Sequence, residues 1–250
     1  MKRILKITGI IAVFAGLLVL LSFVNKRQTE VVCWSLTVEI DDANDFRFID
    51  QPMVLSVVYD LGDSLVGTRM DAIDIARIHK SVLAMHGVDQ VEVVKSLDGQ
   101  VKITICQRTP ILRIQTLDGH GFYIDEQGEP MALTTNYTAR VPVALGEFPF
   151  TTDEVLSNWK VAAFPLVDEL FTIVNYTNTS TLWKSQTDHF YYNTEGDIEL
   201  IPRVGNHRII LGDSQRIAKK LKKLEAFYHD TVGKKDLNKY TTINLKYRDQ

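Results

Sequence analysis

The sequence predicts an α+β protein in which an amino-terminal transmembrane helix precedes two mixed domains. Three observations support this prediction: one long apolar run near the amino terminus, a strand–helix–helix–strand–strand pattern behind it, and alternating short strands and helices after Pro110. The 250 residues, 45% hydrophobic and 24% charged, have the composition of a globular chain and are enough for two small domains behind the run.

Residues 7–24 contain no charge and no proline. As a helix this run spans about 27 Å, which is close to the thickness of the hydrocarbon core of a bilayer. A cleaved signal peptide is the alternative, but its apolar region is usually only about 7–15 residues long and ends in a small-x-small cleavage site. Residues 22–27 offer no such site. We therefore expect an uncleaved membrane anchor.

The charges that flank the run predict its orientation. Residues 1–6 contain three lysine or arginine side chains and the α-amino group, whereas Lys26 and Arg27 follow the run. This small excess favours a cytoplasmic amino terminus. We expect residues 1–6 to be a cytoplasmic tail and everything after the anchor to lie outside the membrane, in a single-pass protein of the cell (inner) membrane.

The first exported segment shows strand and helix periods in turn. Residues 32–40 alternate apolar and polar side chains, which indicates a strand whose apolar face includes Trp34. Residues 51–61 fit a short helix with a proline in its first turn. A second helix has an apolar stripe from Ile75 to Met85, with Asp71 as its expected cap.

Two strands complete this first unit. Residues 88–94 and 101–105 are rich in valine and isoleucine, and the pair Asp98-Gly99 between them is a strong hairpin signal. The resulting order is strand, helix, helix, strand, strand. Such a unit can bury one face of its sheet beneath the two helices, which is a compact α+β arrangement.

After Pro110, short strands separated by glycine-containing turns alternate with helical stretches. The strand candidates, which we expect to form an antiparallel sheet, are residues 111–116, 122–125, 131–133, 141–143, 190–192, 198–201 and 208–211. Residues 152–174 have a helical apolar period. Pro165 within them either starts a second helix or kinks a single long one.

The last helix and the last strand form the candidate binding surface. The helix after Asp213 has an apolar stripe on one side, and its other face is basic through Arg216, Lys219, Lys220 and Lys223. A strand over residues 240–247 follows, with Thr242, Ile243, Asn244, Leu245, Lys246 and Tyr247 at its centre. A last strand commonly lies at a sheet edge, where another chain can add a strand. The basic side chains beside it would favour an acidic partner, although a merely solvated helix face is the alternative.

Residue types that support catalysis or ligand binding are sparse. Ser157 and Lys160 match the S-x-x-K pattern of penicillin-interacting serine enzymes, but the companion S-D-N and K-T-G elements are missing. The six histidines are scattered without a metal-binding spacing, so we expect no metal, no cofactor and no small-molecule substrate. The formal net charge of −3 and the missing motifs argue against nucleic-acid binding.

The chain contains four short segments in a fixed order: VKITICQRTP at residues 101–110, FYIDEQG at 122–128, VPVALG at 141–146 and INLKY at 243–247. Together these segments resemble the bacterial cell-division family FtsQ, also called DivIB. Residues 101–110 (VKITICQRTP) resemble a hairpin strand that ends in an Arg-x-Pro step, and residues 122–128 (FYIDEQG) resemble the family's next hairpin. Residues 141–146 (VPVALG) resemble its L-P-x-x-x-G stretch, and residues 243–247 (INLKY) resemble its closing V-D-L-R-Y strand. The order of these segments and the single anchor extend the resemblance over nearly the whole chain.

The resemblance implies a transmembrane helix, a POTRA-like β-α-α-β-β domain over residues 32–108 and a β domain over residues 109–250. It implies a non-enzymatic divisome scaffold at the division septum that binds FtsB-like and FtsL-like bitopic partners and helps to control septal peptidoglycan synthesis. The family's partner contact corresponds here to residues 242–248, which adds Arg248, and Tyr247 matches its functional tyrosine. Residues 152–176 are a long helical insert, and a tail that covers the partner is expected to be short or absent.

Two other functions stay open at this point. One is a membrane-anchored envelope enzyme that uses Ser157 and Lys160 for serine nucleophilic chemistry. The other is a POTRA-type chaperone of an export or assembly machine. Chaperones of that kind usually contain several such units or a transmembrane barrel, and the sequence shows neither.

Overall fold

The structure is a computed structural model, and it describes residues 14–17, 31–41, 46–62, 64–117, 119–157, 159, 163–231 and 239–247. The chain divides into two compact units, residues 1–107 and 108–250. Most of the apolar run 7–24 lies outside the described residues. Among those that are described, no helix is long and apolar enough to span a membrane.

The described residues of the first unit from position 31 onward form a three-stranded sheet and two helices, in the β-α-α-β-β order that the sequence predicts. Its strands are β1 (Ser35–Asp41), β2 (Val88–Lys95) and β3 (Gln100–Gln107), and its helices are α1 (Gln51–Asp60) and α2 (Ile75–Leu83). β3 lies in the centre, parallel to β1 and antiparallel to β2. The alternation on β3 is confirmed, since Val101, Ile103 and Ile105 are fully buried.

Both helices of this unit begin at an aspartate that caps them. The Asp50 carboxylate accepts a hydrogen bond from Met53 N at 2.8 Å, and that of Asp74 accepts one from Arg77 N at 3.0 Å. The expectation of Asp71 as the cap of α2 is wrong. Asp71 instead pairs with Arg69 at 2.6 Å, because residues 71–72 form a turn before the helix starts.

The second unit is built on one eight-stranded sheet. In chain order the strands are β4 (Pro110–Thr116), β5 (Gly121–Asp125), β6 (Pro130–Ala132), β7 (Val143–Gly146), β8 (Thr187–Tyr192), β9 (Ile198–Pro202), β10 (Arg208–Gly212) and β11 (Thr242–Asn244). The helices are α3 (Thr152–Ser157), α4 (Pro165–Thr179), α5 (Thr181–Gln186) and α6 (Ile217–Thr231). Across the sheet the strands lie in the order β11-β10-β9-β8-β7-β4-β5-β6.

The expectation of an antiparallel sheet is wrong, because the sheet is mixed. The pairs β4–β7, β7–β8 and β10–β11 are parallel. Parallel neighbours need a crossover connection, which is usually helical. Helices α3, α4 and α5 connect β7 to β8, and α6 connects β10 to β11. These helical stretches are therefore the crossovers that make the pairs β7–β8 and β10–β11 parallel, whereas β4 and β7 are connected through β5 and β6.

Residues 152–174, for which the sequence allows either one kinked helix or two helices, form two separate helices. α3 ends at Ser157 and α4 begins at Pro165, whose missing N–H and fixed φ suit a first helical turn. The apolar side of α4 packs into the core through Val167, Leu170, Ile173 and Val174, all of them buried. Of the two alternatives, the structure therefore shows that Pro165 starts a second helix.

Candidate functional site

β11 lies at one edge of the large sheet, and its residues Thr242 and Asn244 are exposed. It pairs in parallel with β10, with Arg208 opposite Thr242 and Ile210 opposite Asn244. Arg208 N donates to Thr241 O at 3.1 Å, and Leu245 N donates to Ile210 O at 2.9 Å. The predicted position of the last strand at a sheet edge is confirmed.

Successive residues of β11 present their main-chain groups to opposite sides. The N–H and C=O groups of neighbouring residues point in opposite directions within the plane of a sheet. Since Thr241 and Leu245 bond to β10, the main-chain groups of Thr242 and Asn244 point away from it. The side chains of Ile243 and Leu245 pack against the hydrophobic core of the unit. Thr241 and Leu245 therefore hold β11 against β10, and the main-chain groups of Thr242 and Asn244 are left at the edge of the sheet.

The regular strand is shorter than the predicted 240–247, and a side chain explains why. Lys246 N donates to the Asn244 Oδ1 atom at 2.9 Å, so the main chain bends where an extended strand would continue. Side-chain bonds of this local kind compete with the ladder of a sheet. The Asn244 side chain consequently occupies one main-chain donor just beyond the strand.

A buried carboxylate holds the segment that follows β11. Lys246 Nζ lies 2.7 Å from Asp197 Oδ1 and 3.0 Å from Oδ2, in the turn between β8 and β9. The hydrogen bond to Asp197 raises the pKa of Lys246, which therefore stays charged. Tyr247 next to it is 57% exposed. Arg248 lies outside the described residues.

The basic face of α6 is narrower than the sequence indicates. Arg216, Lys219 and Lys223 are exposed. Lys220 is only 5% exposed, so its assignment to the basic face is wrong. It lies three residues after Ile217 and four before Leu224, on the buried side of the helix.

A short-range ion pair makes the burial of Lys220 possible. Its Nζ lies 2.7 Å from Asp213 Oδ1 and 2.9 Å from Asp213 O. Partial burial alone would raise the pKa of Asp213, but the hydrogen bond and the positive charge of Lys220 outweigh it and lower that pKa. Burial and the negative charge of Asp213 raise the pKa of Glu169. Lys220 is thus a structural cation at the start of α6.

Sequence reasoning missed two polar residues that support the edge. Arg208 Nε donates to Thr242 Oγ1 at 3.4 Å, and its Nη1 lies 3.6 Å from Glu199 Oε1 on β9. Asp197 is the second, through its bond to Lys246. The position of Arg208 as the first residue of the predicted strand 208–211 was a signal in the sequence that could have indicated its role. Asp197 could not, because it lies 49 residues before its partner.

α6 is also connected to the start of the edge strand by aromatic packing. The rings of Phe227 and Tyr240 meet edge to face, with their centroids 5.1 Å apart. Beneath them His207 is buried, and its Nε2 lies 2.7 Å from the Tyr228 hydroxyl. No described residue bonds to the His207 Nδ1 atom. This packing couples the helix to the sheet beside β11.

The burial of His207 predicts an acid-sensitive fold. Burial lowers the pKa of His207 from 6.5 and raises the pKa of Tyr228 to about 12. The unfolded chain then binds a proton below pH 6.5 that the folded chain resists, so stability falls as the pH drops through this range. Thermal unfolding temperatures between neutral and mildly acidic pH should fall less steeply for His207→Gln than for the wild type. Equal slopes would contradict this, and exposed His229→Gln is the control.

Of the two residues proposed for catalysis, the structure describes only Ser157. α3 ends at Ser157 and Trp159 is not helical, whereas Lys160 lies outside the described residues. The helix turn that would join the two side chains is therefore interrupted. No group of three or more His, Cys, Asp or Glu side chains among the described residues could hold a metal ion.

The fold and the site define a class of protein. A β-α-α-β-β unit precedes a larger mixed sheet, and one edge strand of that sheet, β11, has outward main-chain groups. An open strand edge is a common means by which one protein binds another.

Comparison with known protein families identifies the particular family to which the chain belongs. Residues 31–106 match the POTRA-like domain, and residues 109–250 match the family described as FtsQ/DivIB, C-terminal related. The second match spans more than half of the chain, and the chain belongs to this family. The predicted family is confirmed, and it implies a divisome-associated role for domains that are generally non-enzymatic scaffolds. No curated protein matches the sequence closely enough to count as a relative.

Proposed function

We propose that this protein is a single-pass membrane scaffold of the divisome. It binds FtsB-like and FtsL-like bitopic partners and helps to control septal peptidoglycan synthesis at the division site. The family membership and the apolar run 7–24 support this proposal. The observation that carries it is the exposed edge of β11, where Thr242 and Asn244 direct their main-chain groups away from β10.

Partner binding at this edge would combine two kinds of contact. A strand of an FtsB-like partner would bond to the outward groups of β11, and the exposed Tyr247 beside it would pack against the partner. The exposed lysines of α6 would face acidic residues of the same partner. Affinity then comes from main-chain bonds and the aromatic contact, and the charges govern the rate of association.

In-cell photocrosslinking tests this function. A photoreactive residue at position 247 should trap a small bitopic coiled-coil protein, which mass spectrometry identifies. Position 117 is the matched control, because Leu117 is 62% exposed in the same unit. The same adducts from both positions, or no protein adduct from position 247, would reject the edge as the binding site.

Tyr247→Ala should weaken partner binding by about 1–3 kcal/mol, which is the range for an aromatic anchor. More than half of the Tyr247 surface is exposed, so the free energy of unfolding should stay near that of the wild type. Titration of the purified full-length protein with its partner gives the affinity. An unchanged affinity would remove Tyr247 from the interface.

Lys222, like Lys219, is an exposed lysine of α6. Reversing the charges of both to glutamate should slow association with the partner, most of all at low salt. Exposed charges act on the encounter rate, and salt screens them. The matched control is Lys184→Glu, which changes an exposed lysine on α5 in the same unit. An association rate that responds equally to Lys184→Glu would show that the charge effect is not local to α6.

A further inference from the structure

The first unit exposes apolar side chains where the chain enters it. Three segments meet there: residues 31–34, residues 64–68 and the hairpin tip 96–99. Cys33 N donates to Thr68 O at 2.8 Å, Gly67 N donates to Cys33 O at 2.7 Å, and Trp34 N donates to Gly99 O at 3.0 Å. Each segment contributes exposed apolar side chains, and we name the group Val32, Trp34, Val66 and Leu97 the entry patch.

Two members of the entry patch are unusual for a protein surface. Leu97 is 79% exposed at the hairpin tip, and Trp34 is 56% exposed although its strand pattern predicts an inner position. The Trp34 Nε1–H already donates to Asp98 O at 2.9 Å, so no unmet hydrogen bond explains the exposure of the ring. Clustered exposed apolar groups of this kind mark interaction surfaces.

The charges beside the entry patch do not oppose an apolar partner. Arg69 forms an isolated antiparallel β-bridge with Val32, and its side chain forms an ion pair with Asp71 at 2.6 Å. Lys95 Nζ donates to Met70 O at 2.7 Å. Among the described residues, Asp98 at the hairpin tip adds an acidic side chain beside the patch, and its main-chain carbonyl accepts the hydrogen bond from Trp34 Nε1. The patch is therefore an apolar face with few charges that would have to be buried.

The chain itself limits what can cover this face. The apolar run ends at Val24, and the eight peptide units from Val24 to Val32 extend over at most about 28 Å. Val32, where this connection ends, is itself a member of the entry patch. An anchor in the bilayer would keep this end of the unit within about 28 Å of the end of the apolar run, with Lys26 and Arg27 between them.

We propose that the entry patch docks onto the phospholipid surface, with Trp34 and Leu97 in the interfacial layer of the bilayer. Indole rings with one satisfied polar atom favour this layer, where their apolar body leaves water. The inference rests on the proposed membrane anchor. It gives the first unit a fixed orientation on the membrane instead of free rotation on its connection.

Lipid photocrosslinking tests the proposal with the full chain reconstituted in phosphatidylethanolamine–phosphatidylglycerol vesicles. A benzophenone side chain is placed at position 97, at position 14 in the apolar run, or at position 83. Leu83 is the matched control, because it is an exposed leucine at the opposite end of the unit, before the start of β2. We expect lipid adducts from positions 14 and 97, several-fold above those from position 83.

The other outcomes separate the two proposals. Lipid adducts from position 14 with none from position 97 would overturn the docking and leave the anchor standing. Protein adducts from position 97 would overturn it as well, since a partner or a second copy would then cover the patch. No lipid adduct from position 14 would overturn the anchor, and the docking with it.

A second measurement distinguishes docking from mere proximity. With the benzophenone at position 66, Leu97→Asp should lower the lipid adducts several-fold, because it replaces the most exposed apolar side chain of the entry patch by a second carboxylate beside Asp98. Leu117→Asp adds the same charge at an exposed leucine outside this unit and should change nothing. Equal adduct yields in both variants would overturn the docking.

Discussion

Replacing Asp125 by alanine should lower the free energy of unfolding by about 3–5 kcal/mol, the usual cost of breaking a buried ion pair. Asp125 is 2% exposed, and its Oδ2 lies 2.7 Å from Arg108 Nε and 2.6 Å from Arg108 Nη2. Its Oδ1 accepts from Gln127 N at 3.0 Å and from Glu129 N at 2.8 Å. The variant would leave a largely buried guanidinium and two main-chain donors without their acceptor.

Urea unfolding, followed by fluorescence of the buried Trp183, measures this loss. The matched control is Asp188→Ala in the same unit, because Asp188 is exposed and its contacts to Arg203 and His189 lie at the surface. Such a surface pair contributes only about 0–1 kcal/mol. If the two variants lost the same free energy, the buried pair would not stabilise the fold as proposed.

The Arg108–Asp125 pair also explains two of the motifs that indicated the family. The Arg-x-Pro step begins β4, and the FYIDEQG hairpin ends β5 at Asp125. In the structure Pro110 lies opposite Asp125 in the strand register, and Arg108 Nη1 donates to Pro130 O at 3.1 Å. The two motifs therefore form one contact at the start of the second unit, and that contact is structural.

Local periodicity was enough to predict the elements that face a single core. The alternation of Val101, Ile103 and Ile105, and the helix 51–61 with its proline, both follow from side chains that must alternate or recur to be buried. The direction of strand pairing could not be predicted in the same way. It depends on whether a connection crosses over the sheet, which adjacent residues do not encode.

The sequence predicted where the candidate site lies, but only some of the residues that belong to it. The edge strand follows from its place at the end of the chain, but the burial of Lys220 depends on a one-residue difference in helix phase and on Asp213. Trp34 has the alternation of an inner residue and is exposed because it precedes β1, at the end of the sheet. Partners distant in sequence, such as Asp197 and Lys246, leave no local pattern.

Asn244→Pro should reduce binding of the strand-adding partner about five- to tenfold, since it removes one main-chain hydrogen bond worth about 1–1.5 kcal/mol. The Asn244 N–H points away from β10, so proline removes a donor that only the partner would use. Proline is tolerated on an edge strand when its nitrogen faces solvent. Circular dichroism of the full chain should stay close to that of the wild type while the partner affinity falls.

Asn244→Ala is the control that separates the main chain from the side chain. It keeps the outward N–H of residue 244 and removes the Oδ1 that occupies Lys246 N at 2.9 Å. If the partner adds a strand along this edge, the freed Lys246 N–H becomes a further donor, and the affinity should be kept or increased. Equal losses in the alanine and proline variants would mean that the partner recognises the Asn244 side chain. Strand addition would then be the wrong description of this edge, because its affinity must depend on the main chain.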